Sequence, residues 1–249
     1  MAGPIQVHFV AAGKYHDIDF ARLEILKLFA DEPRIRATVA MDFSNVDRLH
    51  ECSLLVTYTC DVLPTEAEAV FIKAWLDAGG RWLALHGTNS ILRFLESGLV
   101  DTPNDRPDVM EMLGTQFVAH PPIGPFKVNV KQPDHPLVRG ERDFDVVDEL
   151  YLTRTTADID ILLSTTFSGE ATGFTESHWP ETEVPILYER PHGKGSVLYF
   201  TLGHCRGHYD VAVFTPFWPH PERCAWNYPV YTRILRRCIL WGLNELEQV

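Results

Sequence analysis

The chain has 249 residues, of which 45% are hydrophobic, and a formal net charge of −12. This hydrophobic fraction supports a buried core, and the negative field excludes nucleic acid and acidic membrane surfaces as expected partners. The five scattered cysteines include no C-x-x-C pair, which indicates reduced thiols. The N-terminus lacks signal-peptide features and no apolar run is long enough to cross a bilayer, so we expect a cytoplasmic protein.

Predicted strands and helices alternate in the first part of the chain. Strands are expected at residues 5–10, 34–40, 54–58 and 81–85. The first helix should bury Ile25, Leu28 and Phe29. This alternation predicts a parallel sheet with helices on both of its faces.

The clearest helix signal follows the third strand. Thr65 and Glu68 have the spacing of a capping box, and residues 79–80 are a Gly-Gly stop. The apolar stripe of this helix is predicted to be Ala67, Val70, Phe71, Ala74 and Trp75. A short helix is predicted over residues 91–95.

The remaining chain is less regular. Residues 98–125 are rich in Pro, Gly and Asp and are interpreted as an insertion. Further strands are predicted at residues 126–130, 144–152, 161–166, 185–189 and 196–200, the last two joined as a hairpin by residues 193–195. Pro229 opens a final helix with the apolar stripe Tyr231, Ile234, Leu235, Cys238 and Trp241. No repeat or linker is visible, so we predict a single domain over residues 1–249.

Polar residues that follow predicted strands are the site candidates, because ligands of open α/β sheets bind at the carboxyl ends of parallel strands. His16 follows the first strand, Asp61 the third and His204 the last. His86 follows the fourth and is succeeded by Gly87, with Asn89 close behind. A strand, a tight turn and a short helix form an elbow that in hydrolases presents a Ser or Cys nucleophile. Here it presents imidazole, which suits acid-base work or metal ligation.

Three further groups are candidates. Asp148 and Glu149 are adjacent acids on a predicted strand, so they should point to opposite faces. We assign Asp148 to the margin of the core, and Glu149 to the site together with Tyr151. His120 follows an apolar segment and is expected to fold over the pocket. His204 and His208 are four residues apart, but the glycines beside them favour a loop, so this is a weak metal motif. We therefore assign no metal ligand firmly and keep His86, His204 and His208 as candidates for a divalent ion such as zinc.

Several of these segments also carry a family resemblance. They are His16 after the opening strand, Trp82-Leu83-Ala84-Leu85-His86-Gly87 after Gly79-Gly80, residues 117–121, His135-Pro136, Asp148-Glu149-Leu150-Tyr151, and residues 193–204. In this order the chain resembles the trehalose-utilisation (ThuA-like) family of the class I glutamine-amidotransferase-like superfamily. The resemblance implies a three-layer α/β/α fold, flavodoxin-like or glutamine-amidotransferase-like, with a mostly parallel sheet and an antiparallel hairpin extension.

The same resemblance bears on the chemistry. Class I amidotransferases use a Cys-His-Glu triad, whose Cys maps to His86 and whose His maps to His204. Arg206 stands where their acid is usually found. Without the elbow thiol, glutamine hydrolysis through a thioester is not expected.

The resemblance implies instead an enzyme of carbohydrate metabolism that acts on trehalose, another disaccharide or a keto-disaccharide. His86 and His204 are expected to exchange protons with the sugar, with Glu149 as orienting group or base. The expected substrate-binding residues are His16, Asp61, Asn89, His120, Tyr151 and Arg206. No G-x-G-x-x-G follows a strand, so an oxidation would need an NAD-dependent dehydrogenase partner.

Two alternative functions stay open, and we expect a homo-oligomer in each case. The first is a metal-dependent hydrolase or isomerase with a histidine-rich site. The second is a non-catalytic sugar-binding or assembly protein.

Overall fold

The centre of the molecule is a nine-stranded sheet, seen in a computed structural model that describes residues 3–207, 216 and 220–246. Five strands run parallel, in the order β2-β1-β3-β4-β13. They are β1 (Ile5–Gly13), β2 (Ile35–Ala40), β3 (Leu54–Cys60), β4 (Arg81–Leu85) and β13 (Gly195–Phe200). β3 is buried along its whole length, as its continuous apolar run predicts for a strand covered on both faces.

Helices cover both faces of this parallel half. They are α1 (Ile18–Ala30), α2 (Glu66–Asp77), α3 (Pro107–Leu113) and α4 (Pro229–Gly242). The buried residues of α1 and α4 join one core cluster, and those of α2 and α3 join the other. The predicted three-layer α/β/α fold is confirmed.

Antiparallel strands extend the sheet beyond β13. They are β12 (His178–His192), β11 (Asp160–Glu170), β8 (Gly124–Val130) and β9 (Phe144–Asp148), which forms the far edge. β12 and β13 form the hairpin predicted around residues 193–195. The hairpin extension expected from the sequence is therefore present, and it is longer than expected.

The predicted insertion at residues 98–125 is ordered. It contains α3 and two strands, β6 (Val100–Asp101) and β7 (Thr115–Ala119). β6 pairs with β5 (Arg93–Phe94), and β7 pairs with β10 (Leu152–Thr155). The prediction of a helix over residues 91–95 was wrong, because this segment contains β5, which pairs with β6.

The apolar stripe predicted for α2 was also wrong, although its capping box and its stop were right. The buried residues are Ala69, Ile72 and Leu76, whereas Val70 is 63% exposed. The helix carries two overlapping apolar stripes, and packing on the sheet selects one of them. The single stripe predicted for α4 is buried throughout. No helix in the described part of the chain has the length and apolarity needed to span a membrane.

Candidate active site

The predicted elbow is present at the end of β4, where residues 86–89 form one turn of 3₁₀ helix. His86 has a φ of 41°, in the left-handed region that costs energy for a non-glycine residue. A Cβ atom on Gly87 would lie 2.6 Å from the Thr59 carbonyl oxygen, so only glycine fits there. The Tyr199 hydroxyl donates to the His86 carbonyl at 2.7 Å and accepts the Asn89 N–H at 2.9 Å. These two bonds hold the turn in place.

The same strain recurs at neighbouring strand ends. Tyr15 after β1 and Asp61 after β3 have φ values of 65° and 58°. Backbone strain of this kind persists where the surrounding structure holds it, which is often at functional sites. The carboxyl edge of the parallel sheet is therefore the strained edge.

Three imidazoles and one carboxylate meet at this edge. They belong to His16, His86, Glu149 and His204, all buried, and their candidate ligand atoms lie within 4.8 Å of one another. His16 Nε2 is 2.9 Å from His86 Nε2. His16 Nδ1 is 3.0 Å from the Lys14 carbonyl oxygen, and His86 Nδ1 is 2.7 Å from that of Thr201. We name this group the His/Glu cluster.

Glu149 is the hub of the cluster, and its two oxygens face different neighbours. Oε2 lies 3.2 Å from His204 Nδ1 and 3.6 Å from His86 Nε2. Oε1 lies 3.3 Å from His120 Nε2 and 3.8 Å from Arg206 Nη2. One oxygen therefore faces the buried imidazoles, and the other faces side chains nearer to solvent.

Asp148 binds backbone N–H groups, whereas the neighbouring Glu149 contacts imidazole side chains. Its carboxylate accepts the backbone N–H groups of Gly203 at 2.8 Å, His204 at 3.0 Å and Glu149 at 2.8 Å. The two acids therefore have different partners, but the prediction that a strand over residues 144–152 holds both was wrong. β9 ends at Asp148, and the chain turns there before β10 begins.

Charge in the cluster is set by the carboxylate. Burial raises the pKa of Glu149, but the positive charges of His120 and His204 outweigh it and hold this pKa well below its usual range. Burial lowers the pKa of His204, yet the Glu149 carboxylate raises it to about 9. Burial and the two neighbouring imidazoles keep the pKa of His16 well below the usual value. At neutral pH the ring of His16 is uncharged, and His204 forms an ion pair with Glu149.

A cavity of about 630 Å³ opens beside the cluster. Its aromatic walls are Tyr15, Phe94, Phe117, Tyr151 and Phe174, and its polar wall is His16, His120, Glu149, Arg206 and Glu222. Among the described residues, His86 and His204 are not part of this wall. Of the three residues predicted to be catalytic, only Glu149 reaches the cavity.

The other predicted site residues divide by position. His16, His120, Tyr151 and Arg206 line the cavity. Asp61 instead binds Lys14 at 2.6 Å and accepts the Leu92 N–H at 3.3 Å, and the Asn89 amide donates to Thr115 Oγ1 at 2.8 Å. In the described part of the chain these two residues support the edge behind the cavity surface. His208 lies outside the described residues.

Glu222 is the site residue that sequence reasoning missed. Its carboxylate lies 3.5 Å from His204 Nε2 and 3.4 Å from Arg206 Nη1. It pairs with Arg206 through a backbone bridge between two irregular segments. No periodicity surrounds it, so no sequence signal was available.

The nearby thiols are not activated nucleophiles. Cys60 lines the cavity, but burial raises its pKa well above the usual value. Burial also raises the pKa of Cys205 to about 12, and its sulfur lies 3.2 Å from the Tyr58 hydroxyl. An un-ionised thiol is a poor nucleophile, so thioester chemistry has no support here.

Comparison with known proteins assigns the family. A family model described as trehalose utilisation (ThuA) matches residues 7–218. The chain belongs to the ThuA family. The family resemblance expected from the sequence is thereby confirmed. A search of curated proteins finds no match.

Solved structures share the fold of this ThuA family member. A ThuA-like protein from Parabacteroides merdae is 14% identical with a TM-score of 0.64, over 97% of this chain and 91% of that chain. One from Bacteroides uniformis is 18% identical with a TM-score of 0.60, over 82% and 84%. A β-galactosidase from Bacillus circulans is 10% identical with a TM-score of 0.53, over 99% of this chain but 31% of its own. Identities this low show likeness of fold alone.

Proposed function

We propose that this protein is an enzyme of carbohydrate metabolism that acts on a trehalose-type disaccharide or its keto derivative by proton transfer. The observation that carries the proposal is a buried carboxylate, Glu149, that contacts three imidazoles and borders a cavity with aromatic walls. Membership of a trehalose-utilisation family supports a role in the use of such sugars.

The cavity suits a disaccharide in size and chemistry. Its volume of about 630 Å³ falls within the range of small-molecule sites. Aromatic walls pack against the apolar faces of sugar rings, while Arg206, Glu222 and His120 offer charged and polar partners for hydroxyl groups. The mixture of aromatic and charged walls therefore supports a sugar as the substrate class.

We assign proton transfer to side chains that line the cavity, because only these can contact a bound sugar. His120 lies on the wall, and Glu149 Oε1 stands 3.3 Å from its Nε2. Imidazole exchanges protons readily near neutral pH. We assign His120 the removal of a proton from the carbon beside the ketone, with Glu149 as its charge partner. The electron pair of that C–H bond passes to the ketone oxygen as an enolate, and the imidazolium returns a proton to the same carbon. His86 and His204 act on the sugar only through Glu149 and His16.

A keto substrate requires an earlier oxidation. We propose that a separate NAD-dependent dehydrogenase supplies it, because the sequence has no dinucleotide fingerprint after a strand.

Deuterium exchange tests the proposal. Incubation with a 3-keto-disaccharide in D₂O should replace the hydrogen on the carbon beside the ketone, which proton NMR follows. Glu149→Gln and His120→Ala should slow this exchange by about 10²-fold or more. His178→Ala is the matched control, since that histidine is exposed and paired only with Glu170 among its described ion pairs. Its exchange should equal that of the unaltered protein.

Two results would contradict the proposal. One is the absence of both binding and exchange with trehalose and its keto form. The other is binding that is unaffected by Glu149→Gln and His120→Ala, which would favour a non-catalytic sugar-binding protein.

A further inference from the structure

We infer that His16, His86, Glu149 and His204 bind one divalent transition-metal ion, for which Zn²⁺ fits the donor set. The inference goes beyond the proposed function, since it rests on ring geometry and not on the identity of the sugar. All four candidate ligand atoms lie within 4.8 Å of one another and all four residues are buried.

The facing rings of His16 and His86 are the first observation. Each Nδ1 is hydrogen-bonded to a backbone carbonyl oxygen, from Lys14 and Thr201 respectively. A carbonyl oxygen can only accept, so each Nδ1 carries the proton and each Nε2 presents a lone pair. These two lone pairs face each other across 2.9 Å. Two acceptors at this distance repel unless a cation lies between them.

Such an arrangement is typical of metal-binding histidines. A ligating imidazole almost always donates its other N–H to a carbonyl or a carboxylate, which fixes the ring and its tautomer. Lys14 and Thr201 supply those carbonyl groups here. Two of the four candidate ligands are therefore already oriented by backbone carbonyl groups.

His204 provides the second, independent observation. Its side chain is 0% exposed, yet neither ring nitrogen has a partner with hydrogen-bond geometry among the described residues. Glu149 and Glu222 lie 3.2 Å and 3.5 Å from its nitrogens without the alignment that a hydrogen bond requires. A buried polar group without a partner destabilises the folded state. A bound ion would satisfy it.

The donor set and its surroundings select the kind of ion. Three imidazole nitrogens and one carboxylate oxygen suit Zn²⁺, with bonds of about 2.0–2.2 Å, better than Mg²⁺ or Ca²⁺, which prefer oxygen. Because His16 and Glu149 also line the cavity, an ion between them would border the space where substrate binds. There it would polarise a ketone oxygen or lower the pKa of a water molecule.

Elemental analysis and calorimetry test the site. Protein purified without chelators should contain about one metal ion per chain. After the metal is removed, titration with Zn²⁺ should restore one-to-one binding and raise Tm. His86→Ala and Glu149→Gln should each weaken Zn²⁺ binding at least tenfold. His178→Ala is the matched control, because that histidine is exposed and its described ion pair is with Glu170, and the variant should bind Zn²⁺ as the unaltered protein does.

Two outcomes would overturn the inference. The first is unaltered protein that contains no metal and binds no Zn²⁺ at concentrations below about 1 mM, which would mean that protons alone satisfy the cluster. The second is stoichiometric binding that survives in both ligand variants, which would place the ion elsewhere. If His86→Ala fails to fold, His16→Asn and the visible spectrum of the Co²⁺-loaded protein decide the same question. Deuterium exchange measured in metal-free protein tests the two proposals separately. Exchange without metal supports the proposed function even where the metal site fails.

Discussion

Two buried histidines at different places on the sheet show what a carboxylate does to an imidazole. His204 lies after β13, and His8 lies within β1, on the face that packs against residues 46–51. Both side chains are 0% exposed, and no ring nitrogen of either has a hydrogen bond within the described residues. Glu149 raises the pKa of His204 to about 9, whereas burial and the nearby charge of Arg48 lower that of His8.

The difference shows that burial of a histidine is not itself a mark of function. Desolvation disfavours the imidazolium ion in both places, and only beside His204 do carboxylates, Glu149 foremost, outweigh it. His8 has no cavity beside it among those described, whereas Glu149 borders one. The informative feature of this molecule is therefore the buried acid.

Glu149→Gln should give the largest effect, because it removes that acid and leaves His204 paired with Glu222 alone among its described ion pairs. The pKa of His204 is higher in the folded state than its unfolded value of about 6.5. Protonated His204 therefore stabilises the fold fully at pH values below 6.5, and this stabilisation is lost as pH rises through about 9. The variant should therefore be less stable by up to about 3 kcal/mol at pH 6, with a smaller difference at pH 9.5. Urea unfolding in the presence of a chelator measures both values. Equal losses at both pH values would refute the ion pair.

Asp148→Asn should give the next largest effect. The amide keeps one acceptor oxygen, but its NH₂ group opposes backbone N–H donors that the carboxylate satisfies. We expect a loss of about 2 kcal/mol in the free energy of unfolding. Asp145→Asn, an exposed position on the same strand, is the control and should change stability by less than about 0.5 kcal/mol.

His8→Leu should stabilise the protein at low pH. Because the folded pKa of His8 lies below the unfolded value of 6.5, its contribution to stability is lost as pH falls below that value. Leucine removes this loss, so the variant should gain up to about 1.4 kcal/mol per pH unit below 6.5 relative to the unaltered protein. Thermal unfolding at pH 5.5 and pH 7.5 checks it. A gain independent of pH would show that packing alone is responsible.

Asp61→Asn should give the smallest effect and extends the comparison to a carboxylate at the rim. Its partner Lys14 is largely exposed, and such ion pairs contribute about 0–1 kcal/mol. We expect a change in stability below about 1 kcal/mol and less than a twofold change in sugar affinity by calorimetry. A larger loss of affinity would restore Asp61 to the substrate-binding residues predicted from the sequence.

The meeting of distant histidines was predictable from the sequence. Parallel strands end at one edge of a sheet, so His16, His86 and His204 were expected together once their strands were recognised. Gly87 after a strand predicted the elbow. The stripe of α4 was predictable because it is the only apolar face of that helix.

The sequence could not predict how far each site residue lies from the cavity, or which residues of irregular segments join the site. Position after a strand says that a residue lies at the edge, but not whether it faces the cavity, and His86 and His204 lie behind Glu149. Glu222 lies far along the chain from its partners on a segment without periodicity. The buried face of α2 was misassigned because two apolar stripes overlap there. In each case packing between distant segments made the choice.

The carboxylate of Asp148 ties together two parts of the sheet that are several strands apart. It is the last residue of the edge strand β9, yet it holds the backbone that follows β13. Local opening of the antiparallel edge would therefore release His204 and Glu149 while the parallel core remains folded. Mild denaturation that opens this edge would then separate Glu149 from His204 before the parallel strands unfold.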